Sequence, residues 1–373
     1  MAKPSAAMLE SMAGAHGDTL ATGPAPGAAA VSPAAPGPAG ADALARPPAG
    51  TAEHRVLREA CGLLDRSERG KLALTGGGAL EFLNGQVSNE LLGLRAGEGR
   101  YATFLTHKGK MLGDLRILAV GEHPGGEPVE LLLDTERVAL QALFDMIRRF
   151  KVGYEMQLHK RTRELGLLSL IGPQAGATAA SAAVGLERLD AAEHANRRVR
   201  IDGTSALAVR TDVGVDLLCE AADTDGLAAA LGEHGAVRVS EEAAECLRVE
   251  RGRPRYGIDL DDTVIPQEAG LNERAVSFTK GCYVGQETVA RLFYKGKPNR
   301  HLRGLRLSQP AHTGEQLALG ERAVGRIGSA VLSPTLGPIA LALVRREAEP
   351  GAVVSVGEQR ASARVLALPF VSD

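Results

Sequence analysis

The sequence contains no tryptophan, and aromatic residues make up only 3% of its 373 positions. A buried core must therefore be built mostly from aliphatic side chains. The four cysteines form no CxxC pair, so the close spacing typical of four-thiolate zinc or iron–sulfur sites is missing. Their low density also argues against a disulfide scaffold. We expect free thiols and a cytoplasmic protein.

An excess of charge, long apolar runs and histidine pairs are also missing. The formal net charge is -2, which gives no bulk attraction to nucleic acid or to an anionic membrane. The sequence has no run of about 18 apolar residues, so it predicts no transmembrane helix. The nine histidines are scattered, without an HxxxH or HExxH pair, and we predict no metal site.

Residues 1–50 differ in composition from the rest of the chain. They include 17 Ala, 8 Pro and 7 Gly, with few large apolar groups to offset the entropy of ordering. Several prolines interrupt any apolar core that a secretory signal would need. We predict a disordered tail, most simply a solvated extension.

Strand and helix patterns mix from about residue 54 to 297, which predicts an α+β fold. Alternation predicts a hairpin of strands at 101–105 and 111–120, and a helical repeat follows Asp134 or Thr135, either of which can act as its cap. A further helix is expected from Glu241 to Arg251. Residues 298–373 show short strands separated by turns, typical of a small β-barrel.

One candidate for chemistry is the string KGCYVGQE at 280–287. Lys280 lies two residues from Cys282 and favours its nucleophilic thiolate form. No histidine lies near in sequence to act as a base. A functional thiol and a buried structural cysteine both remain open on this pattern, because free cysteine is often buried.

Two carboxylates are further candidates. In FLNGQVSNEL (82–91), Asn89 and Glu90 offer an amide and a carboxylate to a ligand, and simple capping is the alternative. Glu250 lies in the last turn of its helix, where a negative charge opposes the helix dipole; a surface ion pair explains it equally well. The basic hairpin at 107–110 suits a phosphate or a glutamate tail, although a solvated turn is the simpler interpretation.

These segments together resemble a known family. KGCYVGQE is similar to the K-G-C-[FYW]-x-G-Q-[EA] motif of the YgfZ family of folate-binding, iron–sulfur-related proteins. FLNGQVSNEL (82–91), YATFLTHKGKMLGDLRI (101–117), IPQE (265–268) and the tail at 325–344 resemble other segments of that family or of its superfamily, which includes the glycine-cleavage T-protein, an aminomethyltransferase. The resemblance covers roughly residues 54–371.

The resemblance implies a cloverleaf of folate-binding subdomains over 54–297 and a C-terminal barrel over 298–373. It implies bound tetrahydrofolate, with Glu250 on the pterin ring and Cys282 contributing a thiol. The other residues that it assigns to the loop around the ligand are Lys280, Tyr283, Gly285 and Gln286.

The resemblance also implies a role in assembling or repairing iron–sulfur proteins, including those that thiolate tRNA. Direct contact with tRNA stays open. The superfamily usually has Asp where this chain has Glu90, which argues against a standard aminomethyltransferase. A folate-dependent aminomethyltransferase or demethylase with Glu90 as its acid/base group is the alternative function. A third possible function is that of a binding or assembly module that does not use folate.

Overall fold

The computed structural model describes residues 50–123, 128–358 and 361–370. The predicted disordered tail lies outside these residues, apart from Gly50. Within them the α-helices are α1 (Thr51–Glu59), α2 (Ala79–Gln86), α3 (Leu140–Phe150), α4 (Ala175–Ala182), α5 (Thr224–Glu233), α6 (Glu241–Glu250), α7 (Asn272–Ala275) and α8 (Gln286–Lys295). None of these helices combines the length and the apolar character needed to cross a bilayer.

The strands form two sheets and a barrel. They are β1 (Gly62–Asp65), β2 (Gly70–Thr75), β3 (Gly99–Leu105), β4 (Met111–Glu122), β5 (Pro128–Thr135), β6 (Gln157–Lys160), β7 (Leu165–Ile171), β8 (Ala183–Val184), β9 (Asn196–Ile201), β10 (Thr204–Thr211), β11 (Gly214–Glu220), β12 (Val237–Arg238), β13 (Arg300–Leu307), β14 (Gln316–Leu319), β15 (Arg322–Ser333), β16 (Gly337–Arg345), β17 (Val353–Val356) and β18 (Ala361–Leu366).

The first sheet has five antiparallel strands in the order β3-β4-β5-β2-β6. The hairpin predicted from the alternation at 101–120 is its β3–β4 pair. Helices α2 and α3 cover one face, where Phe82, Leu143 and Ile147 join an apolar cluster with strand residues such as Leu72 and Ile117. The sheet therefore buries one face under helices and turns the other inward.

The second sheet has seven strands in the order β12-β1-β7-β11-β10-β9-β8. Only the short β1–β12 pair is parallel among its described pairings. Helices α4 and α5 cover one face through small and aliphatic residues, among them Ala179, Leu227 and Leu231. The short strands β8 and β12 have no clear alternation in the sequence, which explains why the pattern analysis missed them.

The uncovered faces of the two sheets pack against each other. Their contact is an aliphatic cluster that includes Leu118 of β4, Leu132 of β5 and Leu218 of β11. Side chains two residues apart on a strand share a face. The same three strands therefore place Arg116, Asp134 and Asp216 between the sheets, where apolar packing gives way to charge.

The C-terminal segment forms a closed barrel in the order β13-β16-β15-β14-β17-β18. Its interior is aliphatic, as in Leu305, Val324, Ala340 and Val365. The α+β architecture and the C-terminal barrel expected from the sequence are confirmed.

Two details of the helices test the sequence analysis. Helix α6 occupies the predicted segment, and the Ser240 hydroxyl caps it by accepting from the Ala243 N–H at 3.3 Å. The predicted cap of α3 is wrong, because α3 begins only at Leu140 after a 3-10 turn. Asp134 instead binds arginines, and the Thr135 hydroxyl donates to the Asp114 carbonyl at 2.5 Å.

Candidate functional site

A cavity of about 210 Å³ lies between the two sheets and helix α6. Charged residues from both sheets and from α6 line it, although its walls expose polar and apolar surface in about equal parts. The charged and ring-bearing residues that line it are Arg66, Glu68, Arg69, Tyr101, Asp114, Arg116, Glu136, Glu193, His194, Asp212, Asp216, Glu241, Glu245, Arg248, Arg255, Tyr256 and Arg274. We call it the central cavity.

A chain of alternating charges lies along one wall of the central cavity, with Asp134 behind the lining residues Arg69, Arg116 and Asp216. The fully buried Asp134 accepts from Arg69 Nε at 2.8 Å and from Arg116 Nε at 2.7 Å. Arg116 continues the chain, with Nη1 donating to Asp216 Oδ2 at 2.5 Å. Burial alone would raise the pKa of Asp134, but Arg116 and Arg69 outweigh it and lower that pKa to about 2. The wall is thereby held rigid and ionised.

Tyr101 and Asp114 form a second buried pair in this wall. The Tyr101 hydroxyl donates to Asp114 Oδ2 at 2.5 Å. Burial raises the pKa of Asp114, although the hydrogen bond from Tyr101 opposes the shift. Burial and the neighbouring Asp114 charge raise the pKa of Tyr101 well above its ordinary value. The cavity thus offers carboxylate acceptors beside a neutral aromatic ring, which suits a heterocycle with N–H groups.

Lys280 joins the two sequence motifs, which lie almost 200 residues apart. Its Nζ donates to the carbonyls of Asn84, Val87 and Asn89 at 2.7, 2.9 and 2.7 Å. Burial lowers the pKa of Lys280 to about 8, against the opposing effect of Glu90. The lysine predicted to activate Cys282 is therefore committed to the turn after α2.

The rest of the KGCYVGQE loop surrounds this lysine. Tyr283 is buried, and burial raises its pKa to about 12. Gly285 is the N-cap residue of α8 with φ 86°, and a Cβ there would stand 2.6 Å from the Thr106 carbonyl oxygen. The Gln286 side chain donates to the Gly281 carbonyl at 3.4 Å. Cys282 is the exposed member of the four free cysteines, so the thiol predicted from the motif faces solvent.

Asn89 lies directly behind the cavity wall, and Glu90 follows it in the chain. The Asn89 side-chain amide donates to the backbone carbonyls of Tyr101 at 2.9 Å and Arg274 at 3.2 Å. Both of those residues line the central cavity. Glu90 Oε1 accepts from the Leu92 N–H at 2.9 Å, as in the capping alternative. Neither Asn89 nor Glu90 is among the described lining residues.

Glu250 lies elsewhere, between α1, α6 and the barrel. Its Oε1 accepts from His54 Nε2 at 2.9 Å and from the Ser333 hydroxyl at 2.5 Å, and the carboxylate is fully buried. Burial would raise its pKa, but the hydrogen bonds from His54 and Ser333 outweigh it and lower that pKa. Glu250 does not line the central cavity. Its Oε2 is buried with no hydrogen-bond partner among the described residues and lies 3.8 Å from Arg58 Nη1, so the expected contact with a pterin ring stays a prediction.

His54, Cys246 and Glu250 place three donor atoms within 4.8 Å of one another. Such a set has the composition of a metal site, although the sequence predicts none. Cys246 and Glu250 stand four residues apart on α6 and share a face. Burial and the Glu250 charge raise the pKa of the Cys246 thiol to about 12, so in the protein alone the set is a hydrogen-bonded cluster with a protonated thiol.

Sequence reasoning missed the residues that line the cavity. Asp114 and Asp216 interrupt the apolar strands MLGDLRIL and GVDLLC, and both are more than nine-tenths buried. An acid inside a buried strand was the available signal, since an unpaired charge there is costly. His194 has no comparable signal, because it lies in a loop whose path only the fold determines.

The fold is that of a two-sheet protein with a cavity lined by charged side chains, followed by a barrel. Residues 45–280 match the GCVT N-terminal domain, and residues 300–372 match the glycine cleavage T-protein C-terminal barrel domain. The chain therefore belongs to the glycine cleavage T-protein family.

Curated relatives and a solved structure agree with this assignment. The chain is 29% identical to an aminomethyltransferase of Corynebacterium aurimucosum, over 85% of this chain and 89% of the relative. It is 31% identical to one of Chlorobium limicola, over 86% and 90%. The crystal structure of the glycine cleavage aminomethyltransferase T from Bartonella henselae matches with a TM-score of 0.76 and 26% identity, over 86% of this chain and 89% of that one.

These comparisons support the wider superfamily named in the sequence analysis. The narrower likeness to the YgfZ family and the iron–sulfur role find no support in them, since the relatives are named aminomethyltransferase. Aminomethyltransferases of this family use tetrahydrofolate.

Proposed function

We propose that the chain binds tetrahydrofolate in the central cavity and transfers a one-carbon group to or from it. The observation that carries the proposal is the cavity itself, which is lined by charged side chains, some of them held in ion pairs, in a member of a folate-using family. A pterin ring presents amino and N–H groups along one edge, and ionised carboxylates accept from such groups in pairs.

Asp216 is the carboxylate that suits the pterin best. It lines the cavity from β11, and Arg116 holds it through Oδ2. Asp134 is already held by two arginines, and Asp114 accepts from Tyr101. The family resemblance implies this role for Glu250, and we assign it to Asp216 because Asp216 lines the cavity and Glu250 does not.

Glu90 is the proposed acid/base group of the transfer. It lies beside Asn89, whose amide holds the backbone of the cavity wall at Tyr101 and Arg274. In this role the Glu90 carboxylate exchanges a proton with the nitrogen that gives or receives the carbon. In this proposal the KGCYVGQE loop packs against the turn that carries Glu90 and holds it in place. The loop residues with this role are Lys280, Tyr283, Gly285 and Gln286.

Calorimetric titration with tetrahydrofolate tests the binding site. Wild type should bind, and Asp216→Asn should weaken binding about tenfold or more, because a charge-assisted pair becomes a neutral one. Asp225→Asn, an exposed acid on α5, is the matched control and should bind as wild type does. Equal affinity in all three proteins would place the pterin away from Asp216.

A second function, support of iron–sulfur proteins through Cys282, is favoured by one observation: the motif thiol is exposed. Turnover of tetrahydrofolate with an aminomethyl or N-methyl donor separates the two functions. Transfer chemistry predicts that Glu90→Gln abolishes turnover and that Cys282→Ser retains it. Folate binding without turnover, together with loss of an iron–sulfur enzyme's activity in cells that carry Cys282→Ser, would instead establish the second function.

A further inference from the structure

His194 combines two unfavourable features at one position of the central cavity. Only 7% of the residue is exposed, and its φ is 69°, in the left-handed region that side chains other than glycine seldom adopt. The conformation is fixed from both sides. The His194 N–H donates to the Arg210 carbonyl at 2.9 Å, and Gly99 lies so close that a Cβ there would stand 2.5 Å from the His194 carbonyl oxygen.

The imidazole of His194 has unused hydrogen-bonding capacity. Among the described residues, neither Nδ1 nor Nε2 has a hydrogen-bond partner, and both are buried. Glu193 Oε1 lies 3.6 Å from Nε2, too far for a hydrogen bond. Buried polar groups are almost always paired in proteins, so two unpaired nitrogens on one ring require an explanation. His194 lines the same cavity as Tyr101 and Asp216.

The surroundings keep this ring neutral. Burial, together with the Arg116 and Arg274 charges, lowers the pKa of His194 to about 3, although Asp212 and Asp216 oppose the shift. A neutral imidazole carries one N–H donor and one lone-pair acceptor. It therefore differs from every carboxylate and guanidinium around it, which only accept or only donate.

We infer that His194 is a ligand-positioning residue, whose ring nitrogens hydrogen-bond the heterocycle that occupies the central cavity. The inference rests on the proposed function and deepens it. Asp216 accepts from N–H groups alone, whereas His194 reaches a donor or an acceptor on the same ring. The two side chains together select a planar heterocycle that carries N–H groups beside a carbonyl or a ring nitrogen. Strain and unpaired polar groups kept at one residue are the pattern expected of a binding site.

His194→Phe tests this inference, because it keeps a planar ring and removes both nitrogens. Titration with tetrahydrofolate should show about a tenfold loss of affinity, equivalent to about 1.4 kcal/mol. Unfolding by urea without ligand should show an unchanged or higher midpoint, because the substitution removes buried unpaired groups. A residue with a merely structural role would lower the midpoint. His194→Asn tolerates positive φ, keeps a donor and an acceptor, and should recover part of the affinity.

His159→Phe is the matched control. His159 Nε2 hydrogen-bonds the Thr75 hydroxyl at 2.9 Å, and His159 is not among the described cavity residues. This variant should lower the urea midpoint and leave the folate affinity unchanged, the opposite of His194→Phe.

Each other outcome overturns a different statement. If wild type binds tetrahydrofolate and His194→Phe binds it equally well, the inference fails while the proposed function stands. If His194→Phe loses both affinity and stability, the residue is structural and the inference also fails. If wild type binds no tetrahydrofolate, the proposed function fails and the inference fails with it.

Discussion

The KGCYVGQE loop can be recognised from the sequence, whereas the central cavity is visible only in the folded structure. The loop carries a short motif that can be found by inspection, yet its lysine binds backbone carbonyls, its tyrosine is buried and its cysteine lies on the surface. The cavity has no short motif, but it gathers charged side chains from two sheets and a helix. A contiguous motif therefore marks a local structure here, while the proposed ligand site is assembled from distant strands.

Removal of Arg116 should cause the largest loss of stability, because Arg116 links the two buried carboxylates of the cavity wall. Arg116→Met leaves Asp134 and Asp216 buried without their shared cation, and we expect a loss of about 3 kcal/mol or more in the free energy of unfolding. Arg161→Met removes an exposed pair with Glu164 and should cost less than about 1 kcal/mol. Urea denaturation measures both, and similar losses would show that the chain of charges does not hold the cavity.

Removal of Lys280 tests whether the KGCYVGQE loop has a structural role. Lys280→Met leaves three backbone carbonyls without their ammonium donor, and we expect a loss of about 2–3 kcal/mol. Lys295→Met, at an exposed position on α8, should change stability by less than about 0.5 kcal/mol. A Lys280 variant as stable as wild type would mean that this lysine has a task other than holding the turn.

Acid should weaken the cavity through Asp134. Its pKa lies near 2 in the folded chain, below the ordinary 3.8, so its contribution to stability is present above pH 4 and is lost as the pH falls toward 2. Between pH 5 and 3, wild type should lose about 1 kcal/mol more than Asp134→Asn does. Asp145→Asn, an exposed acid on α3, should follow wild type. Parallel losses in all three proteins would contradict the ion-pair chain.

Substitution of Cys282 should have the smallest effect. Cys282→Ser should change folate affinity by less than about twofold and stability by less than about 0.5 kcal/mol, because the side chain is exposed. Alkylation followed by mass spectrometry should label Cys282 before the three buried cysteines. A large loss of folate affinity in this variant would connect the loop to the cavity and weaken the comparison.

The sequence predicted the elements better than the site. Aliphatic alternation identified the β3–β4 hairpin and helical spacing identified α3, since those patterns depend on local periodicity. The barrel was also predictable from short strands and turns. The site was not, because the inward face of a strand is charged or apolar according to what packs opposite. Leu118 and Arg116 share one face of β4, and only the fold shows that the first meets aliphatic side chains and the second meets Asp134 and Asp216.

Glu250 illustrates the same limit. Its position near a helix end marked it as unusual, and it is indeed a buried acid, but its partners are His54 and Ser333 from remote parts of the chain. Sequence position identified a carboxylate with a special environment and could not tell a packed cluster from a ligand site.

A crystal structure of the chain with tetrahydrofolate tests the central claim most directly. The account predicts the pterin ring in the central cavity, with its N–H edge on Asp216 and with His194 hydrogen-bonded to the same ring. A pterin bound at the Cys282 loop, or beside Glu250, would contradict it.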